Sequence, residues 1–295
     1  MSLGRHRFSS TATKETILNY AKKSPLVCTT ILAKSKKEFL KTAISAARLC
    51  DIAELRVDYL KEPNTQLIDE IISESPLPLI VTNRSYRDGG LFSKSEESLR
   101  VSLIEASLDC SPAFVDIELG LPDEERSKLI RQARRNNVGV ICSYHDFVST
   151  PSVTRIVSLG KQISETGADI TKLAFMSSDS KDASRILEAA NMMSKEENLF
   201  ALFGMGESGR ITRLAGLLFG SCLVYCSLGR ADKKLGQIGV GYTKEYVGSL
   251  KSYGWPRIKE DRARFFWVLQ RELRSGKHVD HRFDPIAALE IFLDL

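Results

Sequence analysis

Short apolar runs recur along the chain, each bounded by glycine, proline or polar residues, and between them lie segments with helical spacing of apolar positions. The strand-like runs are Leu26–Leu32, Ile52–Asp58, Leu79–Arg84, Ala113–Glu118, Val138–Tyr144, Asp169–Phe175, Leu199–Phe203 and Cys222–Cys226. Ser35 ahead of Lys36–Leu49 reads as a helix N-cap, and Pro122 followed by Asp123, Glu124 and Glu125 reads as a helix start. Strand and helix alternate at roughly one unit per 25–30 residues, the signature of an α/β chain of the (β/α)8 TIM-barrel class. A doubly wound open sheet is the competing architecture. The barrel is favoured because polar residues fall at the C-terminal ends of nearly every run, and barrel strands bring those ends to one mouth. The pattern divides the chain into an N-terminal extension (1–24), the barrel (25–250) and a C-terminal helical extension (251–295). The last carries Trp255, Phe265, Phe266 and Trp267, for which packing on the barrel is the expectation.

Composition narrows the class. The chain has 295 residues, 43% hydrophobic and 27% charged, as in a globular protein, and no apolar run approaches the length of a membrane span. The formal net charge is +5, but the cations are dispersed among 37 acids. That balance suits a small anionic substrate as well as nucleic acid, so charge alone decides neither. Cys28, Cys50, Cys110, Cys142, Cys222 and Cys226 form no C-x-x-C pair and several sit in strand-like runs, so they read as free thiols of a reducing cytosol. No metal site is expected: His278 and His281 form an H-x-x-H pair without a metalloprotease context. The first twenty residues, rich in Ser and Thr, faintly resemble a transit peptide, although a disordered or helical extension accounts for them as well.

The chemistry lies at the strand ends. Glu54, Arg56 and Asp58 alternate with apolar residues, which places all three on one face, where they must pair inside the barrel. Further on come Arg84 and then Asp88 in a loop, Asp116 and Glu118, His145, and Lys172 within an apolar run. A buried strand lysine loses the hydration of its ammonium form, which favours an amine nucleophilic toward a carbonyl. His145 on the neighbouring strand could shuttle protons and remove one from the carbon next to an imine. Flanked by Glu54, Arg56, Arg84 and Glu118, the pair reads as an imine-forming lyase, with arginines for a carboxylate or phosphate.

Several motifs in order and spacing resemble type I 3-dehydroquinate dehydratases: Glu54-Leu-Arg56-Val-Asp58, Asp116-Ile-Glu118, Tyr144-His145-Asp146-Phe147, Gly167-Ala168-Asp169 through Lys172, and Ser208 through Gly216 with Arg213. The resemblance covers about Pro25 to Val247. It implies an imine between Lys172 and 3-dehydroquinate, with His145 moving the proton and Glu118 orienting it. Arg213 would hold the substrate carboxylate, and Glu54, Arg56, Arg84, Asp88, Lys233 and Gln237 would bind the substrate and order the site. Syn loss of water would give 3-dehydroshikimate, a step of the shikimate pathway. The imine is the electron sink, so no cofactor or metal is needed. The implied partner is the small anionic substrate, not nucleic acid or membrane, in a cytoplasmic homodimer.

Three features depart from the family pattern. Asp88 stands where a glutamate is usual before paired glycines. Lys233, Lys234 and Leu235 replace a small hydroxyl residue and Ala-Pro ahead of Gly236-Gln237, which puts a long cation in the lid. The chain also continues past 250. The altered lid keeps open a second class of function, a relative that binds or senses a shikimate-pathway metabolite without turnover. An aldolase of sugar phosphates is a further alternative. Gly204-Met-Gly206-Glu-Ser-Gly209 matches a dinucleotide-binding G-x-G-x-x-G, but at the seventh unit rather than the first.

Overall fold

Ser35, Asn64 and Asp179 each begin a helix by accepting, through a side-chain oxygen, from the backbone N–H of Glu38, Leu67 and Asp182 respectively. Such caps satisfy donors that the first helical turn leaves open, and they fix where the chain passes from strand end to helix. The protein is a computed structural model that describes residues 7–229 and 235–252, with side chains through 250.

Elements run in the order α1 (Lys14–Ala21), β1 (Leu26–Ile31), α2 (Lys36–Ala47), β2 (Ile52–Arg56), α3 (Thr65–Glu74), β3 (Leu79–Thr82), α4 (Glu97–Asp109), β4 (Phe114–Glu118), α5 (Asp123–Arg135), β5 (Gly139–Asp146) and α6 (Val153–Glu165). There follow β6 (Ile170–Met176), α7 (Ser180–Met193), β7 (Leu199–Met205), α8 (Gly206–Gly209), α9 (Thr212–Leu218), β8 (Leu223–Ser227), a two-residue β9 (Ile238–Gly239) and α10 (Val240–Ser252). Among the described residues, eight strands are thus each followed by a helix.

Two compact units make up the described chain, the first of residues 7–20, 26–144 and 163–171, the second of 21–25, 145–162 and 172 onward. In the first, β1 to β5 and the start of β6 lie side by side in chain order. The strands from β1 to β5 pair in parallel: Thr30 lies opposite Glu54, Arg56 opposite Thr82, Thr82 opposite Asp116, Glu118 opposite Ser143. A doubly wound sheet reverses its order at a switch point; six successive strands in sequence order do not. The alternation on β4 shows how the core is sorted from the chemistry. Val115 and Ile117 pack with Ile104 and Leu108 of α4, Leu129, Ile130 and Ala133 of α5, and Val138 and Val140. The opposite face of β4 is left to Asp116 and Glu118.

In the second unit the end of β6 neighbours β7. Ser177 N–H donates to Met205 O at 3.1 Å, and Cys222 N–H to Phe200 O at 2.7 Å. β9 pairs parallel with β8, Cys226 opposite Ile238. Gly204 at the end of β7 and Gly209 of α8 touch backbone to backbone: a Cβ on Gly204 would lie 2.7 Å from the Gly209 Cα. Gly204 N–H also donates to Thr212 Oγ1 at 2.6 Å. Close strand–helix approach therefore explains the glycines of the G-x-G-x-x-G match without any nucleotide.

Strand ends differ from the sequence expectation in places. β2 stops at Arg56, and Val57–Tyr59 is a 3-10 turn, so Asp58 leaves the strand. The cause is local: both Asp58 carboxylate oxygens accept from Arg56, Nε at 2.8 Å and Nη2 at 2.7 Å. Arg84 likewise lies beyond β3. β5 runs two residues further than expected and includes His145. The N-terminal six residues and everything past 252, including Trp255, the aromatic cluster, His278 and His281, lie outside the described residues, as do Lys233 and Lys234.

Candidate active site

The polar face of the first unit is a network centred on Arg84, 4% exposed. Its Nη1 donates to Asp116 Oδ1 at 3.0 Å, Glu118 Oε1 at 3.2 Å and Ser143 Oγ at 2.8 Å, and its Nη2 to Asp116 Oδ2 at 2.8 Å. Ser143 Oγ in turn donates to Asp116 Oδ1 at 2.6 Å. Burial works against the Arg84 charge, but Asp116 and Glu118 more than offset it and hold its pKa well above the ordinary arginine value. Glu54 is buried beside it, its Oε2 accepting from Thr30 Oγ1 at 2.7 Å and its Oε1 from Thr82 Oγ1 at 2.9 Å. Arg56 is clasped by Asp58 and lies over the Tyr59 ring, 5.1 Å from its centroid. Asp58 also accepts from Leu91 N–H at 3.3 Å, which ties down the loop carrying Asp88. That loop turns at Gly89, in the left-handed region with φ 81°, and packs so closely that a Cβ on Gly90 would meet Arg84 O. Asp88 is buried there, and desolvation pushes its carboxyl above the usual aspartate range against the pull of Arg84.

The second unit holds the nucleophile candidate. Lys172 on β6 is 4% exposed, and its amine sits over the Tyr225 ring of β8, 4.3 Å from the centroid. Tyr225 meets Phe203 of β7 at 5.9 Å between centroids, and the Arg213 guanidinium lies over the far partner of that pair, 4.4 Å from the Phe203 centroid. Two aromatic rings therefore carry one cation each, an arrangement favoured by the negative face of the π system. Arg213 Nη2 donates to Leu235 O at 2.5 Å. Gly236, at φ 64°, packs against Gly206 O, so the segment leading to Gln237 is anchored at this point. At the end of β5, Asp146 Oδ1 accepts from Val148 N–H at 2.8 Å and Ser149 N–H at 3.0 Å, a turn that terminates the strand just beyond His145. His145 stacks on Phe147 with 6.1 Å between centroids and 16° between planes.

Glu54, Arg56, Arg84, Asp88 and Glu118 thus fall in one unit's polar network, and His145, Lys172, Arg213 and Gln237 fall in the other unit. Sequence reasoning gave no role to Asp116, Ser143, Arg100, Tyr225 or Phe203. Asp116 was noted at its strand end without a role, and Ser143 was legible in principle, since it is two residues from His145 on the same face of its strand. Among the described residues no cluster of three or more His, Cys, Asp or Glu could hold a metal ion, and no helix is long and apolar enough to cross a membrane. All six cysteines are free, five of them buried.

The sequence model of the type I 3-dehydroquinase family matches residues 27–252. A 3-dehydroquinate dehydratase of Methanothermobacter thermautotrophicus is 36% identical over 225 residues, spanning 76% of this chain and 96% of the relative. One of Methanococcus maripaludis is 33% identical over 226 residues, spanning 75% of this chain and 98% of the relative. Among solved structures, the type I 3-dehydroquinate dehydratase of Clostridium difficile, determined with covalent modified comenic acid, superposes with a TM-score of 0.73 at 30% identity, over 79% of this chain and 94% of that one. The (β/α)8 class read from the strand pattern is the fold class of these proteins. Motif order, fold and family match agree, and this chain belongs to the type I 3-dehydroquinase family of enzymes.

Proposed function

We propose that this chain dehydrates 3-dehydroquinate to 3-dehydroshikimate through an imine on Lys172. The observation that carries the reading is Lys172 itself, a buried strand amine in a chain of this family. In the proposed reaction the Lys172 amine adds to the substrate ketone, and the carbinolamine loses water to give an iminium ion. His145 removes the proton from the carbon next to the iminium, and the electron pair moves into an enamine. Its collapse expels the hydroxyl from the β carbon on the same face, and that oxygen takes up the proton His145 carries, so that it leaves as water and His145 is returned neutral. Hydrolysis of the conjugated iminium releases the enone and returns the lysine. The iminium supplies the electron sink, so the scheme calls for no cofactor.

Arg213 binds the substrate carboxylate through paired hydrogen bonds, a task suited to a guanidinium braced on a ring. Glu118 orients His145 and supports its positive charge. Glu54, Arg56, Arg84, Asp88 and Gln237 order the substrate and its hydroxyls, and Lys233 in the lid adds a cation for an anionic substrate. The catalytic region is residues 25–250, working as a cytoplasmic homodimer, with 1–24 and 251–295 as extensions. The structure of the Clostridium difficile relative was determined with covalent modified comenic acid, which accords with covalent chemistry in that protein.

Reduction of the enzyme with borohydride in the presence of 3-dehydroquinate tests the imine. The scheme expects a stable secondary amine on Lys172, located by peptide mass spectrometry. Turnover without any trapped adduct, or an adduct on another lysine, contradicts it.

A further inference from the structure

Arg100 is the largest fully buried side chain among the described residues, 1% exposed, and it lies in the first turn of α4. Its outer edge donates to Glu97, Nε to Oε2 at 2.9 Å and Nη2 to Oε1 at 2.6 Å. Glu97 is 44% exposed, so a pair made for helix stability alone could sit at the surface. A methionine or leucine would fill the same space without desolvating a charge. The inner edge of the guanidinium indicates what the charge is for. Nη1 donates to Asn83 O at 2.7 Å and lies 3.3 Å from Glu118 Oε2, while Asn83 Nδ2 donates back to Arg100 O at 3.1 Å.

Charge counting sharpens the point. Arg84 alone faces both Asp116 and Glu118, one cation for two buried carboxylates. Arg100, which also holds the half-exposed Glu97, brings a second cation to this group, at the Glu118 oxygen that Arg84 does not reach. Glu118 is then gripped from both sides: Oε1 by Arg84 Nη1 and by Ser85 N–H at 3.0 Å, Oε2 by Arg100. We propose that Arg100 is a positioning residue of the dehydration reaction, fixing the orientation of the Glu118 carboxylate. The inference rests on the role given to Glu118 above. A cavity of about 280 Å3, lined in part by Ser85, Asp88, Glu97, Arg100 and Glu118, opens beside this grip and offers a small cation a route to it.

The test uses the full chain with Arg100→Met and Arg100→Lys, measuring steady-state turnover of 3-dehydroquinate and thermal melting in parallel. Arg100→Met is expected to lower kcat by ~10-fold or more while KM stays within ~2-fold, at temperatures where the variant is folded. Millimolar guanidinium, well below denaturing levels, is expected to restore part of that kcat in Arg100→Met and none in the wild type. A lowered melting temperature with unchanged kcat overturns the proposal, because a purely structural arginine moves stability alone. Should the methionine variant fail to fold, Arg100→Lys decides. It keeps the charge but cannot hold Glu97, Asn83 and Glu118 together, and wild-type kcat in it also overturns the proposal. A wild-type chain without turnover removes the parent reading and this one with it; turnover in the wild type with unaffected Arg100 variants removes only the positioning role.

Discussion

At the scale of residues, the first unit's polar face is a problem in charge balance solved with few groups. Asp116, Glu118 and Asp88 are all buried near Arg84, whose guanidinium makes three short contacts to Asp116 and Glu118, while Arg100 reaches Glu118 from the other side. Asp88 shows what burial costs an ionised carboxylate here. Because desolvation raises its pKa in the folded protein, the folded state binds its proton more tightly than the unfolded chain does. Stability therefore falls as pH rises from the unfolded aspartate value near ~4 through the raised folded value. Asp88→Asn is expected to raise the urea midpoint at pH 7, with the gain over wild type shrinking toward zero as pH falls below that window. An equal gain at all pH values would show that the ionised form is not what costs stability. Among these residues, Glu54, Arg84 and Glu118 were legible because charges inside apolar strands have few uses other than pairing. Arg100 was not, since Glu97-Ser-Leu-Arg100 reads as an ordinary i,i+3 pair on a solvated helix face. Only the packing of α4 against β3 and β4 turns that arginine inward.

At the scale of elements, alternation did the sorting. Period two on β4 sends Val115 and Ile117 to the helices and leaves the carboxylates on the other face. The strands were legible from the same alternation, whereas their ends were not. Asp58 looks like one more strand position, yet its ion pair with Arg56 curls the backbone into a 3-10 turn, an effect of side-chain partners that hydropathy does not register. The G-x-G-x-x-G match shows the reverse hazard, since glycine spacing reports close approach whatever the cause. Gly204→Ala puts a methyl 2.7 Å from both the Gly209 Cα and Ser177 Oγ. It is expected to destabilise the protein by about 1–3 kcal/mol in denaturant titration, the usual cost of overpacking. Tyr225 and Phe203 were invisible as site residues because aromatic rings in strands read as core, and they are core as well as the support of two cations.

At the scale of the whole molecule, eight strand–helix units among the described residues accompany one family match over residues 27–252. The repeat was legible because each unit needs the same three signals: an apolar strand, a polar strand end and a capped helix. The altered lid at Lys233–Leu235 is the feature that most invites the rival account of a metabolite-binding relative without turnover. The proposed dimer is open to light scattering on the purified chain. The central claim, imine-mediated dehydration at Lys172, is tested most directly by adding 3-dehydroquinate to the purified protein and following the ultraviolet absorbance of the conjugated enone, with Lys172→Ala alongside. The account predicts absorbance growth with the wild type and none with the variant. A folded wild type that produces no enone, or a Lys172→Ala protein that produces it as fast, contradicts the account.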